Sequence, residues 1–174
     1  MKSAQSLATL ALVATLALAL AAGGCASRIG DDCTTNTDCS PDGDRICDTS
    51  VEGSGYCTIE GCDTGTCPGE ASCVRFFPAS FLTPRNDCRQ STALNNGCSK
   101  DEVCLTSTGA CAPRSIERRY CMLSCLTDQD CRSNYRCVRT GDVATGGLAG
   151  AEAVPKASGA VSNVRFCAFD PASK

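Results

Sequence analysis

The residues with the widest chemical range in this chain are its cysteines, 17 of 174 residues. Thiols in that number could form disulfides, hold a metal as thiolates or exchange electrons. The chain has no His and no Trp. Without an imidazole, a Ser–His–Asp or Cys–His hydrolase has no base. Zinc sites with imidazole ligands are excluded as well, and so is a switch built on ordinary His titration. A thiol oxidoreductase needs a low-pKa thiol, often in C-x-x-C, and no C-x-x-C occurs. The paired C-x2-C knuckles of an all-thiolate zinc site are missing for the same reason. No phosphate-cradling GxxxxGK[ST] or GxGxxG run is present. A net charge of −3 gives no basic surface for nucleic acid. Disulfide formation is the remaining reading, with no catalytic residue, no metal and no cofactor expected.

Leaving Cys25 aside, the other sixteen cysteines fall into two sets of eight. The first is Cys33, Cys39, Cys47, Cys57, Cys62, Cys67, Cys73 and Cys88. The second is Cys98, Cys104, Cys111, Cys121, Cys125, Cys131, Cys137 and Cys167. Seven successive offsets between the sets are 65, 65, 64, 64, 63, 64 and 64, and the last is 79. Flanking residues agree: Tyr56-Cys57 matches Tyr120-Cys121, and Cys73-Val74-Arg75 matches Cys137-Val138-Arg139. So regular a period points to duplication. Each set divides again into units of four. The stretches from Cys33 to Cys39 and from Cys125 to Cys131 both read C-x-T-x-x-D-C. Four cysteines allow three pairings, and spacing does not choose among them. The crossed pairing, first to third and second to fourth, would constrain a short chain most.

The chain needs such bridges. From Cys25 onward, Leu, Ile, Val and Phe make up 23 of 150 residues. That is below the level at which a chain buries a core unaided. A bridge closing a loop of about 15 residues contributes roughly 3 kcal/mol, mainly by restricting the unfolded chain. The expected fold is small and disulfide-rich, mostly loop with short β-hairpins, in two tandem eight-Cys modules. Strands are expected around 55–59 and 135–139.

Met1–Gly24 carries one positive charge, Lys2, and then an apolar run from Leu7 to Leu20. That is the length of a signal-peptide core and short of a membrane span. Ala21, Ala22, Gly23 and Gly24 precede Cys25. The segment resembles a bacterial lipoprotein signal, in which small residues precede a cysteine that is lipidated and becomes the mature N-terminus. It departs from the commonest pattern in having Ala22 where Leu is usual. The competing reading is secretory cleavage after Ala21. Seventeen is odd, so one cysteine lacks an intramolecular partner, and lipid on Cys25 accounts for it. Such lipidation would anchor the protein to a membrane without spanning it.

The cysteine spacing over 33–139 and Cys167 resembles that of bacterial Cys-rich lipoproteins with repeated C-x5-C-x5–7-C units. It is also similar to the Cys-rich modules of Dickkopf-type and EGF-like extracellular proteins. The resemblance implies surface display and protein binding.

Between the cysteines, most loops are rich in Gly, Asp, Asn, Ser, Thr and Pro. Tyr56 and Tyr120 are expected to pack on their own bridges. Phe76, Phe77, Phe81 and Leu82 stand together in the gap before Cys88. They form either a local mini-core or an exposed partner surface, the candidate binding surface of the chain. Asp38, Asp42, Asp44 and Asp48 do not meet the EF-hand register and read as solvated turns. Arg114, Arg118 and Arg119 read as a solvated face. The expected organisation is a signal peptide over 1–24, a lipidated tether over 25–32, module one over 33–88 and a linker over 89–97. Module two follows over 98–167, with a flexible insertion at about 140–163, and then a tail over 168–174. The expected protein is an exported, membrane-anchored lipoprotein of the bacterial cell envelope, facing the periplasm or cell exterior. It would be non-enzymatic and bind a protein or envelope partner. The alternative is a disulfide-rich protease inhibitor with its inhibitory loop near Arg114 or Arg75.

Overall fold

The computed structural model describes residues 27–50, 55–85, 88, 97–141, 150–155 and 163–170. The leader Met1–Gly24, Cys25, residues 89–96 of the expected linker and 171–174 of the tail lie outside the described residues. The described chain is small, rich in disulfides and built from short antiparallel strands with little helix. In order they are β1 (Asp32–Cys33), α1 (Asn36–Cys39), β2 (Ile46–Asp48), β3 (Gly55–Thr58), β4 (Ala71–Phe76) and β5 (Thr83–Pro84). Then come β6 (Glu102–Leu105), β7 (Ala110–Pro113), β8 (Arg118–Leu123), β9 (Tyr135–Arg139), β10 (Ala151–Ala153) and β11 (Arg165–Phe169). Four small sheets result, ordered β1-β3-β2, β10-β4-β8, β11-β9 and β5-β7-β6.

All sixteen cysteines from Cys33 onward lie in eight disulfides, with Cα separations of 5.3 to 5.8 Å. Those separations sit inside the ordinary range for the bond. One geometry recurs four times. Two cysteines stand directly opposite each other in an antiparallel pair: Cys47 and Cys57, Cys73 and Cys121, Cys104 and Cys111, Cys137 and Cys167. Opposed residues project from the same face of a sheet. Neither bonds to the other; each reaches back to one of two earlier cysteines, always in crossed order. The bridges are Cys33–Cys47 with Cys39–Cys57, and Cys62–Cys73 with Cys67–Cys121. The others are Cys88–Cys104 with Cys98–Cys111, and Cys125–Cys137 with Cys131–Cys167.

The bridges therefore divide the chain differently from the two sets of eight. Cys67–Cys121 and Cys88–Cys104 both cross from one set to the other. A unit of Cys88, Cys98, Cys104 and Cys111 is inserted between the third and fourth cysteines of a unit made of Cys62, Cys67, Cys73 and Cys121. The near-constant offset of 63 to 65 aligned Cys33, Cys39 and Cys47 with Cys98, Cys104 and Cys111, which hold the next place in their unit, while Cys57, Cys62, Cys67 and Cys73 aligned with cysteines in the same place. Loop-closure entropy rises only slowly with loop length, so a hairpin whose ends are stapled tolerates a long insertion.

Residues 150–155 lie within the insertion expected at about 140–163. Within that stretch, β10 pairs with β4, with Ala151 opposite Phe76 and Ala153 opposite Val74. Ala151, Glu152, Ala153 and Val154 are all buried. Small side chains let this strand lie close. A Cβ on Gly150 would meet the Phe77 carbonyl oxygen at 2.1 Å. The Ala/Gly composition that suggested a flexible tether is what close packing requires. Residues 142–149 and 156–162 lie outside the described residues.

The main core joins three units. Ile29 and Tyr56, Cys62, Cys73 and Cys121, and Cys125, Tyr135, Cys137 and Cys167 form one buried cluster. The inserted unit has its own cluster of Phe77, Val103, Leu105 and Ala112, with Leu82 and Ile116 packed against it. Between the two clusters lies a buried ion pair, Arg75 with Glu152. Glu152 also accepts hydrogen bonds from the Thr106 hydroxyl and the Ser107 N–H, both at 3.0 Å. Arg75 donates to the Cys104 carbonyl at 3.2 Å. A charge removed from water needs this degree of pairing. The eight disulfides fit an oxidising extracellular or periplasmic setting. No helix among the described residues is long and apolar enough to cross a membrane.

Candidate ligand cavity

The shared C-x-T-x-x-D-C stretch shows how the first and last units are set. In the first unit the Asp38 carboxylate accepts the N–H groups of Thr34 and Thr35, both at 2.8 Å. In the last, Asp130 accepts those of Leu126 and Thr127 at the same distance. Residues two before each Asp do matching work. Asn36 Oδ1 accepts the Cys47 N–H and Asp128 Oδ1 the Cys137 N–H, each at 2.9 Å. A turn between the first two cysteines is thereby tied to the third. Asp38 is drawn down to about 2, first by the Thr34 N–H, then by the Thr35 N–H and the Thr34 hydroxyl. Asp130 is lowered through the N–H groups of Thr127 and Leu126. These bonds favour the ionised form.

These two units, with the paired strands β4 and β8, bring aromatic side chains together around a cavity of about 260 Å³. Tyr56 and Thr58 on β3 line it with Asp48 and Ser50 of the first unit; Phe76 on β4 faces Tyr120 and Met122 on β8; Tyr135 on β9 and Ala168 and Phe169 on β11 complete it. Tyr56 and Tyr135 stack at 5.2 Å between centroids, and Phe169 meets Tyr135 edge-on at 5.7 Å. Phe76 lies 6.1 Å from Tyr120. These are favourable aromatic separations. The Arg132 guanidinium lies over these rings, 4.3 Å from the Tyr135 centroid and 5.5 Å from that of Tyr56. It donates to the Gly55 carbonyl at 2.7 Å and is paired with Asp32.

The lining carries the Asp48 carboxylate and the hydroxyls of Ser50, Tyr56, Thr58, Tyr120 and Tyr135. The Thr58 hydroxyl donates to the Cys121 carbonyl at 2.8 Å. The Tyr56 oxygen accepts the Leu123 N–H at 2.8 Å. One Asp48 oxygen accepts the Ser50 N–H at 2.9 Å. Burial raises the Tyr56 phenol above the ordinary tyrosine range. Tyr120 is raised too, first by burial, then by the Glu60 and Asp48 carboxylates.

The candidate surface of Phe76, Phe77, Phe81 and Leu82 is distributed over several environments. Phe76 is half-buried and lines the cavity. Phe77, the residue after β4, is buried in the cluster of the inserted unit. Leu82 packs against the same cluster, while Phe81 is 52% exposed. Tyr56 packs on Tyr135 and Tyr120 on Phe76. Asp48, read as a solvated turn, is half-buried at the cavity wall. Sequence reasoning did not single out Tyr135, Met122 or Phe169. A usable signal was present: an aromatic residue within two positions of a hairpin cysteine, at Tyr56-Cys57, Tyr120-Cys121, Tyr135-x-Cys137 and Cys167-x-Phe169.

Other clusters are committed to structure. Sulfurs of Cys33, Cys39 and Cys57 gather within 4.8 Å, as do three in each other unit. All belong to crossed bridges, and a disulfide sulfur is not the thiolate a metal requires. Near Arg114 and Arg118, Arg119 is held by Glu117 at 2.5 Å and Asp63 at 3.5 Å. Comparison with protein-family profiles, curated protein sequences and solved structures yielded no match.

Proposed function

We propose that this protein is an exported, lipid-anchored, cysteine-rich lipoprotein of bacterial type that acts as a non-enzymatic binding module in the cell envelope. The observation that carries the binding role is the aromatic cavity, walled by three separately bridged units. A scaffold whose hairpins are stapled at each cysteine pair keeps such a cavity pre-formed, which lowers the ordering cost of binding. The disulfides support export, and the leader with Cys25 supports the anchor. The partner side of the reading is an envelope component or protein presented near the membrane surface.

The inhibitor alternative gains nothing from its two arginines. Arg75 is buried in its pair with Glu152. Arg114 is exposed but sits in a 3-10 turn, its carbonyl accepting the Glu117 N–H at 3.2 Å.

The test is the intact mass of membrane-extracted protein, alkylated without reduction. The expected result is added lipid mass on Cys25 and no label on the sixteen cysteines from Cys33 onward. An unmodified or absent Cys25, with other thiols labelled, would overturn both the anchor and the export reading.

A further inference from the structure

The chemistry of the cavity wall narrows what it can hold. Five of the eight Phe and Tyr residues of the chain, Tyr56, Phe76, Tyr120, Tyr135 and Phe169, surround one space. The carboxylate among the described lining residues is that of Asp48. Glu60 adds a second carboxylate outside the lining, bridged through its backbone to Tyr120. No Lys or Arg is among the described lining residues. Arg132 lies over the Tyr135 and Tyr56 rings and is paired with the exposed Asp32. Arg118 stands two residues before Tyr120 on β8. The wall thus presents π-faces and negative charge, which attract a cation.

Which cation follows from the polar inventory. A primary ammonium or a guanidinium brings several N–H donors, and each must find an acceptor when it leaves water. The Tyr56 oxygen already accepts a hydrogen bond, Asp48 shares one oxygen with Ser50 and the Tyr120 hydroxyl is engaged with Glu60, so the remaining acceptors are one Asp48 oxygen and the hydroxyls of Ser50, Thr58 and Tyr135. A sugar would need still more donors and acceptors. A fully methylated ammonium needs none, because its charge is spread over methyl groups that pack on rings. Resting on the binding-module reading, we propose that this cavity receives a trimethylammonium group, with Tyr56, Phe76, Tyr120, Tyr135 and Phe169 as its walls and Asp48 as its counter-charge.

The chain has three Tyr and no Trp, and all three Tyr line the cavity. Tyrosine-labelled, disulfide-intact protein therefore gives an NMR spectrum confined to this site. Choline chloride is titrated against 3,3-dimethylbutan-1-ol, the neutral isostere that replaces nitrogen with carbon. The expected result is saturable shifts of the tyrosine signals with choline and at least about tenfold weaker binding of the alcohol. Asp48→Asn, which keeps the acceptor for Ser50, should weaken choline by about tenfold and leave the alcohol unchanged. Equal binding of the two probes would overturn the cation assignment and leave an apolar binding cavity standing. No response to either would overturn the proposal. The broader reading would then stand or fall on whether envelope extracts that leave choline behind still shift the same three signals.

Discussion

Cys73 and Cys121 stand directly opposite each other across β4 and β8, yet each is bonded elsewhere, to Cys62 and to Cys67. The Cys67–Cys121 bridge spans 54 residues, and the whole inserted unit lies inside it. This pairing puts Phe76 and Tyr120 on neighbouring strands. Without it the cavity would lose one wall.

Glu152 should be the most sensitive single position outside the cysteines. Glu152→Ala would leave Arg75 as a buried, unpaired charge and should cost about 3–5 kcal/mol in denaturant unfolding with the bridges intact. The double variant Arg75→Met with Glu152→Leu removes both charges and should lie much closer to wild type. An equal loss in the single and double variants would contradict this account of the pair.

Asp38 gives a pH prediction with a definite sign. Its folded pKa lies near 2, below the usual 3.8. The stability it contributes is present above the unfolded value and is lost as pH falls through the folded one. The difference in Tm between wild type and Asp38→Asn should be constant above about pH 5 and shrink as pH approaches 2. Asp130→Asn should behave in the same direction.

Much of this was legible in the cysteines and little of it between them. Their number, the lack of His and the scarcity of Leu, Ile, Val and Phe led directly to a bridged scaffold of short strands. The crossed order within a unit followed from constraint on a short chain. The nesting was not legible, because Cys88 and Cys121 occupy equally plausible positions after Cys73, and only the register of β4 with β8 distinguishes them. Residues 150–154 misled for a physical reason: Ala and Gly suit both a loose tether and a close-packed strand. Asp48 and Phe169 lie far apart in sequence, and no local pattern places them at one cavity.

Tyr56→Phe isolates one bond. It removes the acceptor of the Leu123 N–H and should cost about 1–2 kcal/mol. Hydrogen exchange at the Leu123 amide should accelerate more than at neighbouring amides of β8. Unchanged exchange there would mean that the bond adds nothing.

Gly55→Ala tests the closeness of β1 and β3. An added Cβ would stand 2.0 Å from the Cys33 carbonyl oxygen and 2.6 Å from the Cys47 sulfur. Oxidative refolding should give a much lower yield of the Cys33–Cys47 bridge, with Cys125–Cys137 formed normally. Wild-type yield would contradict the close approach.

The most direct test of the account is a disulfide map of the native protein by proteolysis without reduction and mass spectrometry. Peptides joined through Cys67–Cys121 and Cys88–Cys104 are the predicted result. Peptides joined through Cys67–Cys88 and Cys104–Cys121 would instead show two modules in tandem. The nested unit, and with it the aromatic cavity, would then be wrong.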